Sequence, residues 1–486
     1  VRTIGFRGFS ALGACFGEFV TMVSPNDPAL RLNDFMWSAT VWHEYAHVLT
    51  LALTKHRIPR WLTEGMSVHE ESARNRTWER GMQRELLDAF HNGEIPPLRL
   101  LNRVFRGSQI LFGYYLGGLA VEFLSAKHGF AKVVTMLKAY GEDQSQERIF
   151  QSTFGWSTRE FDQQFRAWIA KEKLGGLRMV PRYSDRKLDQ LRARVADHPA
   201  DLDARVGLGW GHVQRGQLVE AGQQIAAVLR AKPEHGLANL LYGTLLQRRK
   251  EVDQAMARYA AGFAAGADDF ESRLRYGSLL ERKGQPDAAL RQYQAAKACW
   301  PRCTEQELSP QLRIANLLRA QGKLTEAMME MKAFCKLTAR AFRPRKQLAE
   351  YARGLGNRAE EARFLEECIQ IDPFMRSIHD RLGDAYVKLG KLELARREYE
   401  VALAVVPALD REYVQRPGQR QRPQVPAIDS PEQKAERGAL CVKVARVRWA
   451  LGDRDGARAF LDRAAKEAPD SPASDEAAKL RAEWKL

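Results

Sequence analysis

Turn positions recur through the second half of the chain at Gly216, Lys250, Gly284, Gly322, Gly356 and Gly390, at spacings of 34, 34, 38, 34 and 34 residues. A seventh falls at Gly452 after a longer interval. Seven positions before each mark stands a small residue: Gly209, Gly243, Gly277, Ala315, Ala349, Gly383 and Ala445. Five positions after it come Ala221, Ala255, Ala289, Ala327, Ala395 and Ala457, with Glu361 the exception. Pro233, Pro301, Pro373, Pro407 and Pro469 stand seventeen positions after their marks. Such a period dictates one helical hairpin copied along the chain. Its small residues let two helices approach, and each apolar face is covered only by stacking on a neighbour.

The pattern resembles the tetratricopeptide repeat, a hairpin of ~34 residues. The resemblance implies a superhelix whose concave face holds peptides or partner proteins, although a spacer or assembly scaffold reads equally well. The array is expected over residues 185–471 in about seven units, residues 185–200 forming a half-unit because Pro199 precedes Pro233 by 34 residues. Residues 408–437, with four prolines, are expected to be a mobile insert. Residues 472–486 read as a C-terminal helix or tail. "GGLRMVPRYS", residues 175–184, reads as a linker to a different first domain over residues 1–174.

That first domain holds Trp42-His43-Glu44-Tyr45-Ala46-His47 and, after a short gap, Arg60-Trp61-Leu62-Thr63-Glu64-Gly65. The run without Gly or Pro from Asp34 to Thr54 predicts a helix, which sets His43 and His47 one turn apart on one face, able to share a cation. Glu44 lies ~100° round from His43, where it can act as general base toward an attacking water without ligating. Two imidazoles alone hold zinc poorly, and a catalytic site takes about three protein ligands. Glu64 is the candidate for the third, because Pro59 can open a second helix that returns its carboxylate over the histidines.

Together the two segments resemble the gluzincin metallopeptidases of the thermolysin-like superfamily, and "IPRWLTEGMSVHEE" more narrowly resembles the bacterial peptidase-MA-like domains. The resemblance covers residues 1–172. It implies one Zn²⁺ held by His43, His47 and Glu64, Glu44 as catalytic base, and a peptide or protein as substrate. The implied fold is mostly α: a truncated α+β zincin-like domain followed by an α-solenoid. His69, Glu70 and Glu71 all stand where one could orient a ligating histidine, and the sequence does not choose among them. A non-catalytic adaptor that binds zinc or peptide is the alternative reading.

"ACFGEFVTMVSP" alternates as a β-strand ending at Pro25. In gluzincins such a strand lies beside the zinc and receives substrate as an added strand, which places Phe16, Gly17 and Glu18 as substrate-binding candidates. An ordinary core strand reads equally. The Gly-x-Met-Glu-Asn motif of gluzincin aminopeptidases is absent, so Glu18 is expected to be exposed or salt-bridged. "GYYLGGLAVEFL" places Tyr114 on the family's tyrosine, where a phenol could donate to the developing oxyanion. Tyr115 competes for that role, and Gly117 replaces the family's serine.

The chain begins with Val and opens inside a strand-like segment, so its natural N-terminus is expected upstream. The family resemblance implies an extracytoplasmic location, periplasmic or membrane-tethered. The longest uncharged apolar run, Ile110 to Val121, is twelve residues and too short to span a bilayer. Net charge is +16, from 76 Lys and Arg against 60 Asp and Glu, but spread along helices rather than clustered with aromatics, which argues against nucleic acid as a partner. None of the six cysteines forms a Cys-x-x-Cys pair, so a zinc ribbon is not expected and free buried thiols are.

Overall fold

The computed structural model describes residues 12–25, 36–405 and 430–486. The chain is mostly helical and divides into two compact units, residues 45–337 and residues 1–44 with 338–486. The division falls between Glu44 and Tyr45, inside one unbroken helix, α1 (Trp37–Leu53).

The unit of residues 45–337 begins with the second half of that helix and continues through α2 (Arg60–Arg74), α3 (Gln83–His91), α4 (Leu98–Val104), α5 (Ile110–His128), α6 (Phe130–Gly141), α7 (Gln146–Phe154) and α8 (Thr158–Trp168). Helix α5 is apolar nearly all round and is buried at its centre. It crosses α2 where both helices are bare backbone. A Cβ on Gly65 would meet the Gly117 carbonyl oxygen at 2.5 Å, and one on Gly117 would meet the Trp61 carbonyl oxygen at 2.7 Å. Trp61 is fully buried and locks α2 in place: its backbone N–H donates to Asn102 Oδ1 (2.9 Å) and its indole N–H to Gln146 Oε1 (3.1 Å).

The repeat helices follow: α9 (Asp185–Asp197), then the hairpins of α10 (Leu202–Gln214) with α11 (Leu218–Ala231), α12 (Gly236–Arg248) with α13 (Val252–Ala264), α14 (Phe270–Arg282) with α15 (Pro286–Cys299), and α16 (Pro310–Ala320) with α17 (Leu324–Cys335). Residues 175–184 do not hang free between the two parts. Arg178 N–H donates to the Cys299 carbonyl (3.1 Å), Phe270 N–H to the Arg178 carbonyl (2.8 Å), and Val180 N–H to Asp269 Oδ1 (2.9 Å). From the other side Arg84 and Asn92 donate to the carbonyls of Val180 and Arg182. The segment whose Gly and Pro content reads as a linker is therefore a strap with its backbone groups paired, as buried backbone requires.

The other unit contains α18 (Phe342–Gly354) with α19 (Arg358–Ile371), α20 (Arg376–Lys388) with α21 (Leu392–Ala404), α22 (Pro431–Ala450) with α23 (Arg454–Glu467), and a last helix, α24 (Pro472–Trp484). Of the expected insert, residues 408–429 lie outside the described residues, as does Pro407. Residues 431–437 are the first turns of α22, opened by the Ser430 cap with Pro431 in the first turn, and not a loop.

In both units the phase marks have one physical cause. Gly216, Gly284, Gly322, Gly356, Gly390 and Gly452 all take φ between 70° and 85°, the left-handed turn between paired helices, and Lys250 takes it at 66° without being glycine. Gly243, Gly277 and Gly383 lie against the rings of Tyr259, Tyr293 and Tyr399, where a Cβ would stand within 3 Å. The alanines after each mark are at most 1% exposed. Glu361, in the alanine position, is 3% exposed and paired with Arg358 at 2.7 Å.

Beside residues 36–44 the second unit carries β1 (Gly13–Phe16) and β2 (Phe19–Met22), an antiparallel hairpin with Phe16 opposite Phe19. One strand running to Pro25 was expected. Gly17 takes φ 67°, which turns the chain and makes Gly17 and Glu18 a two-residue hairpin turn. Among the described residues this hairpin is all the sheet there is, so the larger sheet of a zincin-like domain is not present in them.

Candidate metal centre

Helix α1 is inverted relative to an ordinary amphipathic helix. Val41, Tyr45, Leu49 and Leu53 are exposed, whereas His43, His47 and Thr50 form a buried polar stripe. Polar groups bought into a core need partners or a ligand. The stripe faces α2, which is brought back by a six-residue turn in which Lys55 and His56 take positive φ. Pro59 caps α2 in an extended conformation, so the helix begins at Arg60, one residue later than the first-turn role expected for the proline.

The ligand atoms of His43, His47 and Glu64 all lie within 4.8 Å of one another. His47 Nε2 stands 3.2 Å from Glu64 Oε2. Two ligands each ~2.0–2.1 Å from a tetrahedral Zn²⁺ are separated by about 3.3–3.4 Å, so both the donor chemistry and the spacing fit that ion. Glu44 is 6% exposed and lies beside strand β1: a Cβ on Gly13 would fall 2.6 Å from its Oε1. Only a residue without a side chain lets the strand pass this close.

The far nitrogen of His47 is held as well. Nδ1 lies 2.8 Å from Thr63 Oγ1 and 3.3 Å from Ser67 Oγ. Thr63 Oγ1 is 3.1 Å from Thr50 Oγ1, and the Thr50 hydroxyl donates to the His47 carbonyl (3.2 Å). A proton on Nδ1 donated to Thr63 leaves Nε2 with its lone pair toward Glu64 and the shared ligand position, the tautomer a metal needs. The sequence offered His69, Glu70 and Glu71 for such a role. His69 stacks on Phe130 (5.9 Å between centroids), its pKa lowered by burial against the raising effect of Glu70 and Glu122, and Glu71 accepts from Arg80 (3.1 Å). Thr63 carries no sequence signal of its own beyond preceding Glu64.

Arg60, one turn before Glu64, approaches its Oε1 at 3.5 Å. Tyr114 lies in this neighbourhood. Its ring packs edge-on to Phe105 (5.4 Å) and under the Arg80 guanidinium (5.0 Å). Burial first, then the Glu64 charge, raises its pKa against the lowering effect of Arg60 and Arg80, so the phenol keeps its proton. Tyr115 is 3% exposed and packs on Phe112, with Glu79 and Glu122 rather than Glu64 as its acidic neighbours. Of the two tyrosines, Tyr114 is the one beside the cluster. Phe16 ends strand β1, while Gly17 and Glu18 lie in the turn and Glu18 is exposed, so these two are not on the strand edge proposed to receive substrate.

A tetratricopeptide repeat family model matches residues 439–471, from the middle of α22 through α23 to the start of α24. Among solved structures the chain is similar to a tetratricopeptide repeat protein from Parabacteroides merdae, at 17% identity over 57% of this chain and 98% of that one, TM-score 0.29. It is similar to the C-terminal part of a TPR repeat-containing protein from Cytophaga hutchinsonii at 14% identity, 56% and 98% coverage, TM-score 0.33. It is also similar to YrrB, described as a TPR protein with an unusual peptide-binding site, at 16% identity, 42% and 99% coverage, TM-score 0.32. No curated protein sequence matches the chain. The chain carries tetratricopeptide repeats in an α-solenoid, the fold class of protein-interaction modules. No helix among the described residues is long and apolar enough to cross a membrane.

Proposed function

We propose that the chain is a zinc-dependent metallopeptidase whose repeat array recruits a protein substrate or partner. The observation that supports it is the convergence of His43, His47 and Glu64 within 4.8 Å, next to the buried carboxylate of Glu44. A Zn²⁺ held by these three residues would supply Lewis-acid polarisation of water and of a peptide carbonyl. Glu44 takes the proton of the attacking water and passes it to the leaving amine. Thr63 and Ser67 keep His47 in the ligating tautomer, and Tyr114 offers a protonated phenol toward charge developing on the carbonyl oxygen. The backbone of β1 beside Glu44 is the surface along which an extended peptide would add.

The competing reading is a metal-binding or peptide-binding adaptor that does not turn over, favoured by the family match falling on a repeat. Cleavage of a general protein substrate by wild type and by Glu44→Gln separates the two. Cleavage by wild type that Glu44→Gln abolishes supports the peptidase; no cleavage by zinc-loaded wild type makes the adaptor reading correct.

A further inference from the structure

In the unit that contains residues 338–486 a cleft of about 390 Å³ lies along the edge where the hairpins turn. Helix ends bound it: Arg353 and Lys388 in the last turns of α18 and α20, Arg358 and Leu392 at the starts of α19 and α21, and Ala450 at the end of α22. The volume falls in the ~300–1,000 Å³ range of small-molecule sites. Six cationic side chains line it against two carboxylates, Glu361 and Asp384. Both carboxylates are taken. Glu361 is 3% exposed and pairs with Arg358 (2.7 Å), while Asp384 Oδ1 accepts from the Tyr399 hydroxyl (2.8 Å) and pairs with Lys443 (2.9 Å). Arg353 and Lys388 are exposed and make no ion pair among the described residues.

Arg381, on α20, is the decisive group. Its Nη1 donates to Glu350 Oε1 at 3.4 Å, but Nε and Nη2 are buried and have no hydrogen-bond partner among the described residues. These two nitrogens lie along one edge of the planar guanidinium, the fork that takes two oxygens of a single oxyanion. A buried charged donor without an acceptor is costly, so an entire open fork inside a cationic cleft marks a place built for an anion. Beside it Val387, Leu392, Val447 and Ala450 supply an apolar wall.

We infer that this cleft binds a small organic phosphate, a monoester whose phosphate sits on the Arg381 fork and whose organic part lies on the apolar wall. A carboxylate would fill the fork with its two oxygens and its single charge, leaving Arg353 and Lys388 without an anion. A phosphomonoester gives two oxygens to the fork and keeps a third, with a second negative charge, for those cations. The apolar wall distinguishes such a molecule from the free ion, which has nothing to bury there. The inference does not depend on the metal centre.

The test is isothermal titration calorimetry of the full chain with phenyl phosphate, with benzoate and inorganic phosphate as comparisons. Wild type is expected to bind phenyl phosphate about tenfold or more tightly than benzoate, and several-fold more tightly than inorganic phosphate. Arg381→Lys keeps the charge but removes the fork, and is expected to weaken binding about tenfold or more. Lys388→Glu, an exposed change that leaves the core intact, is expected to weaken it several-fold. Arg458→Glu, exposed on α23 and outside the cleft, is expected to leave binding unchanged. No binding of phenyl phosphate by wild type, equal binding of benzoate or of inorganic phosphate, or an equal loss in Arg458→Glu would overturn the inference. So would undiminished binding by Arg381→Lys or by Lys388→Glu.

Discussion

His47 Nδ1 and Thr63 Oγ1 stand 2.8 Å apart, linking the helix that carries both histidines to the helix that carries Glu64. The contact fixes the ring of one proposed ligand from the residue next to another. Thr63→Val removes the acceptor at nearly constant volume, and partners of this kind contribute ~10–100-fold to metal affinity. Zinc competition against a chelator is expected to show a loss in that range for Thr63→Val and near-normal affinity for Thr63→Ser. Equal affinity in all three proteins would leave Thr63 a packing residue only.

Gly65 and Gly117 let α2 and α5 touch backbone to backbone. Gly117→Ala must push α2 away from its carbonyl contacts, and overpacking of a close crossing costs ~1–3 kcal/mol. Thermal denaturation followed by circular dichroism is expected to show a lower midpoint for Gly117→Ala, and a larger drop for Gly117→Val. The same crossing accounts for the glycine that stands where the resembled family has serine.

Lys250 holds the left-handed turn that glycine holds at the other marks, with φ 66°. Replacing it by glycine relieves a conformation that costs a residue with a Cβ roughly 1 kcal/mol, partly offset by the entropy of the freer unfolded chain. Lys250→Gly is expected to be neutral or stabilising by up to about 1 kcal/mol in urea denaturation, and Lys250→Val destabilising.

The array was legible because each mark is a backbone necessity. A helix pair this tight needs a positive-φ turn and a small residue at the crossing, and glycine records both in the sequence. The approach of His43 to His47 was legible for a similar reason, since helical geometry alone puts them on one face. What the sequence did not show depends on which helices meet. Thr63 becomes a partner of His47 only once α2 folds back on α1, and residues 175–184 become a strap only once Asp269 and Cys299 are in place to pair their backbone. Gly17 misled in the other direction: its neighbours alternate like one strand, but a positive φ there makes a hairpin.

Burial lowers the pKa of His69 from the ordinary 6.5, against the raising effect of Glu70 and Glu122. The folded protein therefore resists protonating it, and the unfolded chain binds the proton more readily. Stability contributed by neutral His69 is complete above about pH 6.5 and is lost as pH falls through the window below it. Urea midpoints between neutral and mildly acidic pH are expected to fall less steeply for His69→Gln than for wild type. Identical pH slopes would show that His69 is not the group involved.

The most direct measurement of the central claim is the zinc content of purified wild type, Glu44→Gln and Glu64→Ala after dialysis against metal-free buffer, by atomic emission. One zinc per chain is expected in wild type and Glu44→Gln, and a large loss in Glu64→Ala, with circular dichroism unchanged in all three. Wild type without zinc, or Glu64→Ala holding it as tightly as wild type, would contradict the assignment of His43, His47 and Glu64 as a metal centre.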